Sequence, residues 1–357
     1  MHRAQVVVIG AGMSGLAAAN SIAEQGIEVL CLEKARGTGG RLSSKRINLD
    51  EHGVLSFDLG ASSFYASSER FVSFIEDKCS SMQGMTRRHY VPNVRSSSLT
   101  RALAESVRLE CGVKVSDIKR RNGRWLTFVE DEHGSPQVFS ESLFLVLATP
   151  PEQARALIPP SHPYQAALEF VSSQPQWVSV YLVPYSVYEH IGLQVAGPLL
   201  NLNCSEIKRL SVESAKPGRT ESLCNDEEQE ERCVLVKLEA QPEWTNHRLE
   251  LDKNEIASEL WAALLREFGL EGDSNECQFR FQYTHRWLYS LPSGNVLSRS
   301  GEVTGSHHQG PHENLCLCGD YLGIREGIDG VEAAYQSGLS LAEAMVEMLT
   351  DEPALTM

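Results

Sequence analysis

Gly10, Gly12 and Gly15 stand between the apolar run Val6-Val7-Val8-Ile9 and a stretch rich in alanine. That spacing can hold a phosphate with main-chain groups alone. Gly10 makes a tight turn, Gly12 lets the backbone approach a pyrophosphate, and Gly15, with Ala17, Ala18 and Ala19, permits close helix–strand packing. A helix opening at Met13 and Ser14 turns free N–H groups and a positive dipole end toward the same anion. Glu33, 18 residues beyond Gly15, can accept hydrogen bonds from both hydroxyls of an adenosine ribose. With 27 glycines among 357 residues, about 0.15 such patterns arise by chance. The bare pattern is therefore weak, and its flanks must carry the inference.

The flanks do so. Val6 to Ile9 and Val29 to Leu32 are continuous apolar runs, as buried parallel strands are, and a small-residue helix joins them. Past Glu33 comes Lys34-Ala35-Arg36-Gly37-Thr38-Gly39-Gly40-Arg41. Its glycines keep a loop thin beside a pyrophosphate, and Arg41 can bind phosphate oxygens with both ends of its fork. A tight glycine turn without a ligand would need neither the acid nor this second loop. Together the three features resemble the amine-oxidase-like branch of FAD enzymes, which implies FAD rather than NAD.

The chain is long enough for a large core and more than one domain. Its net charge of −15 argues against a nucleic-acid or anionic-membrane partner. No apolar run has the length of a membrane span, and Met1-His2-Arg3 leads straight into the first strand, so a cytoplasmic location is expected. Nine cysteines without a framework spacing fit free thiols. Cys316 and Cys318 share one face of a strand, which favours packing over metal. His307, His308 and His312 lack an acid or thiol at ligand spacing. No Gly-x-Ser-x-Gly elbow or Walker loop is present. No metal is expected.

In order along the chain, Arg46 to Leu59 reads as a hairpin turning at Asp50-Glu51-His52-Gly53. It ends at Gly60-Ala61-Ser62-Ser63, where small residues let a flat ring approach the backbone; an ordinary turn is the alternative. Helices are expected over Glu69 to Cys79 and Leu99 to Glu110, and a strand over Val113 to Val115. Trp125 to Glu130 and Gln137 to Phe139 suggest a small antiparallel meander, and Leu143 to Leu147 a buried strand closing at Ala148-Thr149-Pro150. Trp177 to Val183, Cys233 to Glu239 and Gln278 to Tyr283 alternate as an antiparallel sheet would. Residues 225–231 form an acidic run. Asp252 to Phe268 is an amphipathic helix. Leu315 to Cys318 is a strand ending in Gly319-Asp320, and a helix starts near Gly330. The predicted fold class is α/β: a Rossmann-like, glutathione-reductase-type FAD-binding domain with an inserted α+β substrate domain on an antiparallel or mixed sheet. The FAD-binding part is predicted over 1–66, 99–160 and 299–350, and the substrate part over 67–98 and 161–298.

Four stretches together resemble the bacterial renalase-like proteins of the FAD amine-oxidase superfamily: Gly10 to Arg41, Pro242-Glu243-Trp244-Thr245, His285 to Pro292, and Gly319-Asp320 to Gly338. The resemblance implies oxidation of mis-reduced nicotinamide dinucleotides, the 2- and 6-dihydro isomers of NAD(P)H. By position it places Gly10, Gly12, Met13, Ser14, Gly15, Glu33, Lys34, Gly40, Arg41, Gly60, Ala61, Val115, Ala148, Gly319 and Asp320 around non-covalent FAD. Gly330 and Val331 fall at the flavin pyrimidine edge, where the helix dipole favours the reduced anion. Ser62, Ser63, Arg286 and Trp287 are the expected cavity residues, although Arg286 and Trp287 suit structural roles equally well. Ser62 and Ser63 depart from the family's Gln-aromatic pair, and Tyr321 from its usual Trp.

Hydride transfer from a dihydropyridine needs orientation rather than a strong base. The rivals are a primary or secondary amine as donor, or a non-catalytic FAD scaffold or redox sensor. Oxygen or a quinone is the expected electron acceptor.

Overall fold

Val6, Val7 and Val8 are wholly buried, as a strand covered on both faces requires. They lie in β1 (His2–Ile9), followed by α1 (Met13–Ala23) and β2 (Val29–Glu33). This computed structural model describes residues 1–49, 53–82, 88–190, 199–202, 204–219, 232–270, 276–293, 314–323 and 328–351. The expected turn at 50–52, the acidic run 225–231 and the histidines at 307, 308 and 312 lie outside those residues.

After β2 come the hairpin β3 (Ser44–Leu49) and β4 (Gly53–Asp58), then β5 (Phe64–Tyr65), α2 (Glu69–Ile75), β6 (Cys79–Met82) and β7 (His89–Pro92). Strands β5, β7 and β6 form a three-stranded sheet. The expected helix over Glu69 to Cys79 stops at Ile75, because Cys79 pairs in that sheet with Pro92. Phe71, Ile75, Cys79 and Tyr90 pack in one apolar cluster with α1. The segment predicted as substrate domain over 67–98 thus shares the core of the dinucleotide-binding part.

Next are α3 (Ser97–Ala104), β8 (Arg108–Cys111), β9 (Asp117–Arg121), β10 (Arg124–Glu130) and β11 (Pro136–Leu147). Two expectations shift here. The helix ends at Ala104 and the strand is Arg108–Cys111, not 113–115, since Leu30 to Glu33 offer a free edge to Arg108 to Cys111. The meander strand and the buried strand are one element: β11 pairs antiparallel with β10 and parallel with β1. The large sheet runs β8-β2-β1-β11-β10-β9, with β17 (Leu315–Leu317) also on β11.

The insert follows: α4 (Pro151–Leu157), α5 (Tyr164–Leu168), β12 (Ser172–Pro184), α6 (Tyr185–His190), β13 (Leu199–Asn201), β14 (Ile207–Val212) and β15 (Cys233–Ala240). Then come α7 (Pro242–Asn246), α8 (Lys253–Glu267) and β16 (Phe281–Ser293). Its sheet order is β13-β14-β15-β12-β16. One face carries Tyr181, Val236 and Leu238 against α8. The other carries Val180, Leu182 and Leu235 against the β4 residues Leu55 and Phe57. A capping box between Asp252 and Glu255 starts α8 where the sequence predicts it.

The chain closes with α9 (Asp320–Gly323) and α10 (Gly330–Asp351). Gly338 lets α10 lie on α1: a Cβ there would stand 2.2 Å from the Ser14 carbonyl oxygen.

Candidate functional site: a dinucleotide cleft roofed by the inserted sheet

The glycine motif divides into two jobs. Gly10 has φ +111°, and a Cβ on it would sit 2.6 Å from the Ala148 oxygen. On Gly15 a Cβ would lie 2.0 Å from the Gly10 oxygen and 2.8 Å from the Ala148 Cβ. These two glycines bring β1, α1 and the end of β11 together. Gly12, the N-cap of α1, is different: a Cβ there meets nothing within 4 Å. Gly40, at φ +52°, faces the same space, its own Cβ position 3.4 Å from the Gly12 Cα. The buried Met13 and Ser14 start α1 beside it.

Glu33 is fixed at the end of β2. Its Oε2 accepts from Ala11 N and its Oε1 from Ala35 N, both at 2.8 Å, so each oxygen retains capacity for a ribose hydroxyl. Val113 N donates to Glu33 O at 2.9 Å. Val115, two residues on, is half-buried in the stretch between β8 and β9. Lys34 is exposed and donates to Gln153.

Arg41 departs from the expectation that its fork grips phosphate. Its Nη1 and Nη2 donate to the Asp320 oxygens Oδ2 and Oδ1, each at 2.6 Å, and Nη1 also reaches the Ser290 carbonyl at 3.1 Å. One bidentate pair therefore joins the N-terminal loop to the C-terminal strand end, 279 positions apart. Gly319 is glycine because Tyr321 folds back on it, its Cε1 2.4 Å from where a Cβ would be. Gly330 is exposed, and a Cβ on it would stand 3.6 Å from Asp320 Oδ2. Asp329 caps α10, accepting from Val331 N at 2.9 Å.

The Leu59–Ala61 loop is pinned from above by the insert. Trp287 Nε1 donates to Leu59 O at 3.1 Å, and Lys237 Nζ donates to Gly60 O at 2.7 Å. From the side, Ser96 Oγ donates to Ala61 O at 2.8 Å. Trp287 thus borders this loop. Arg286 does not. Successive residues of a strand point to opposite faces, and Arg286 lies over Trp177, donates to the Leu249 carbonyl and pairs with Glu250 at 3.5 Å. Its expected place in the cavity is corrected: it braces the outer face of the insert. Trp244 is likewise buried in that packing.

Ser62 is wholly buried, with its Oγ near Ser211 Oγ (3.3 Å), Glu213 Oε1 (3.4 Å) and Glu239 Oε1 (3.5 Å). It is held within an ionic network rather than exposed to a substrate. Ser63 Oγ is buried and finds no hydrogen-bond partner among the described residues. The network went unnoticed in the sequence. Asp58 takes Lys216 at 3.1 Å and Arg219; Glu213 takes Lys216 at 2.6 Å and Arg219; Glu239 takes Lys237 at 3.0 Å. Burial alone would raise the Asp58 and Glu213 carboxyls, but Lys216 and Arg219 outweigh it and hold both well below the usual range. The available signal was Lys237 and Glu239 alternating with apolar residues in β15, a pattern that also describes a solvated face. Here that face is covered.

The parallel strands, the glycine cradle and the roofing insert define a dinucleotide-binding fold of the Rossmann-like kind. The comparisons give the family. The chain belongs to the flavin-containing amine oxidoreductases, whose pattern matches residues 65–346, and an NAD(P)-binding Rossmann-like pattern matches residues 8–77. It is an FAD-dependent oxidoreductase. A triple mutant of putrescine oxidase, redesigned in cofactor binding, superposes with TM-score 0.68 at 13% identity, covering 97% of this chain and 99% of that one. The cyclohexylamine oxidase of Brevibacterium oxydans IH-35A does so with TM-score 0.67 at 12% identity and the same coverage. At such identities the likeness concerns the fold. A 4-hydroxybenzoate brominase (decarboxylating) of Marinomonas mediterranea is 36% identical over 70 residues, 20% of this chain and 14% of that protein.

The residues present fit FAD. The open side of Gly12 leaves room for a pyrophosphate at the start of α1, and Glu33 is set for the ribose. No helix among the described residues is long and apolar enough to cross a membrane.

Proposed function

We propose that this enzyme oxidises a dihydropyridine, the 2- or 6-dihydro isomers of NAD(P)H, and returns NAD(P)+, with oxygen or a quinone taking the electrons. The observation that supports this over amine oxidation is the charge on the sheet face above the Leu59–Ser63 loop. Arg209, Lys216, Arg219 and Lys237 face Asp58, Glu213 and Glu239 there. Each of these three carboxylates is engaged by a cation, in a chain of net charge −15. None of the three is left to receive the positive charge of an ammonium.

Bound FAD supplies a hydride acceptor at N5. The protein's part is to hold the donor against it and keep water out. Asp58, Glu213 and Glu239 are all engaged by cations, so none is free to take a proton from an ammonium. A dihydropyridine needs no such base, because it becomes aromatic on losing hydride. Non-covalent FAD, expected from the sequence, belongs to the same reading.

Titration of the FAD-loaded protein with NAD+ is expected to perturb the flavin absorption band saturably, while putrescine and cyclohexylamine leave it unchanged. A response to the amines and none to NAD+ would select the amine reading.

A further inference from the structure

We propose that Arg209 anchors the phosphate-bearing part of a dinucleotide substrate from the face of the insert that meets the Leu59–Ser63 loop. The proposal rests on the dihydronicotinamide reading and names the group that selects a dinucleotide.

Arg209 is on β14, where a register shift between Ile207 and Arg209 sets it opposite Glu239 and Ser211 opposite Lys237. That is the sheet face carrying Ser211, which reaches Ser62. Its cross-strand neighbour does not neutralise it: Glu239 pairs with Lys237 at 3.0 Å. Among the described residues, the only side-chain hydrogen bond of Arg209 runs from Nε to Asn201 Oδ1 at 3.1 Å. Its two terminal nitrogens, the fork that matches a phosphate, keep no partner among those residues.

His89 on β7, Glu239 on β15 and Asp329 at the cap of α10 lie within electrostatic range of this charge. The register of β14 puts it on the face of the insert that meets the Leu59–Ser63 loop. His89 is 4% exposed and its Nδ1 has no hydrogen-bond partner among the described residues. Its ring stacks on Tyr65 with centroids 4.4 Å apart and planes at 19°. Burial, with the Arg209 charge added, lowers its pKa to about 4, so at neutral pH it adds no second cation. The fork of this half-buried guanidinium gives up part of its hydration with no ion-pair partner among the described residues, since Glu239 holds Lys237 and the Asp329 carboxylate caps α10. An anion arriving with the substrate makes good that loss, and a diphosphate matches the fork's geometry.

The test uses FAD-loaded wild type and the Arg209→Gln and Arg209→Lys variants. Calorimetric titration with ADP-ribose is paired with anaerobic flavin reduction by 6-dihydro-NAD and by a phosphate-free 6-dihydro-1-alkylnicotinamide. Arg209→Gln is expected to weaken ADP-ribose binding about ten-fold or more. It should raise the half-saturating concentration of 6-dihydro-NAD by a similar factor and leave reduction by the phosphate-free donor unchanged. Arg209→Lys should recover part of the loss, because it restores the charge without the fork. An unchanged ADP-ribose affinity, or equal losses with both donors, would overturn the assignment while the substrate reading stands. Wild type that binds no ADP-ribose and is reduced by neither donor would overturn both.

Discussion

Replacing Asp58 by asparagine is expected to destabilise the folded protein by about 3–5 kcal/mol, the usual cost of removing one partner from a buried ion pair. Asp58 is wholly buried and carries four contacts at once: Lys216 Nζ at 3.1 Å, Arg219, Ser44 Oγ at 2.7 Å and Ser96 N at 2.9 Å. Asparagine keeps one acceptor but removes the charge and can turn N–H donors toward Lys216 and Arg219. Lys216 would then sit in a dry interface with Glu213 alone, shared with Arg219. A lower urea midpoint with an unchanged slope is the expected readout; a midpoint within error of wild type would contradict the account of this network. The sign with pH also follows. The folded carboxyls of Asp58 and Glu213 titrate below their unfolded values. Their contribution is therefore present above the ordinary carboxylate range and is lost as pH falls through the lower folded values. Asp58→Asn should flatten that acid dependence.

Gly60→Ala is expected to yield protein with little or no bound flavin. A Cβ at Gly60 would fall 1.8 Å from the Arg41 carbonyl oxygen and 2.4 Å from its carbon, both backbone atoms. Arg41 or the Leu59–Ala61 loop must move, and with them the Asp320 pair and the two carbonyls held by Trp287 and Lys237. Gly134→Ala, in the turn between β10 and β11 where a Cβ meets nothing within 4 Å, is the control for a glycine lost away from the cleft. The ratio of flavin to protein absorbance should fall more than ten-fold for Gly60→Ala and stay at the wild-type value for Gly134→Ala. Equal occupancy in both would contradict the close approach read at this loop.

Local sequence carried the cradle well. Gly10, Gly12, Gly15 and Glu33 lie within one turn and two strands, so spacing alone relates them. The amphipathic helix expected over Asp252 to Phe268 is read from local spacing for the same reason. What local pattern does not contain is pairing at long range. The Arg41–Asp320 pair joins positions 279 apart, and each residue by itself reads as a cofactor contact. The Asp58–Glu213–Lys216–Arg219 network joins the β4 hairpin to the insert, and its charges read as solvent-facing until two sheets are known to meet there. Arg286 and Trp287 show a third kind of miss. Their neighbourhood in sequence suggests a shared role, yet the two-residue period of β16 sends them to opposite faces. The start of β8 was displaced because the free edge of β2, not local propensity, decides where that strand begins.

The central claim is that a dihydronicotinamide gives its hydride to this enzyme. Purified, FAD-loaded protein mixed anaerobically with 6-dihydro-NAD should lose its visible flavin band in a single turnover, with one NAD+ formed per flavin. A band that persists with this donor and its 2-dihydro isomer but vanishes on mixing with an amine would contradict it.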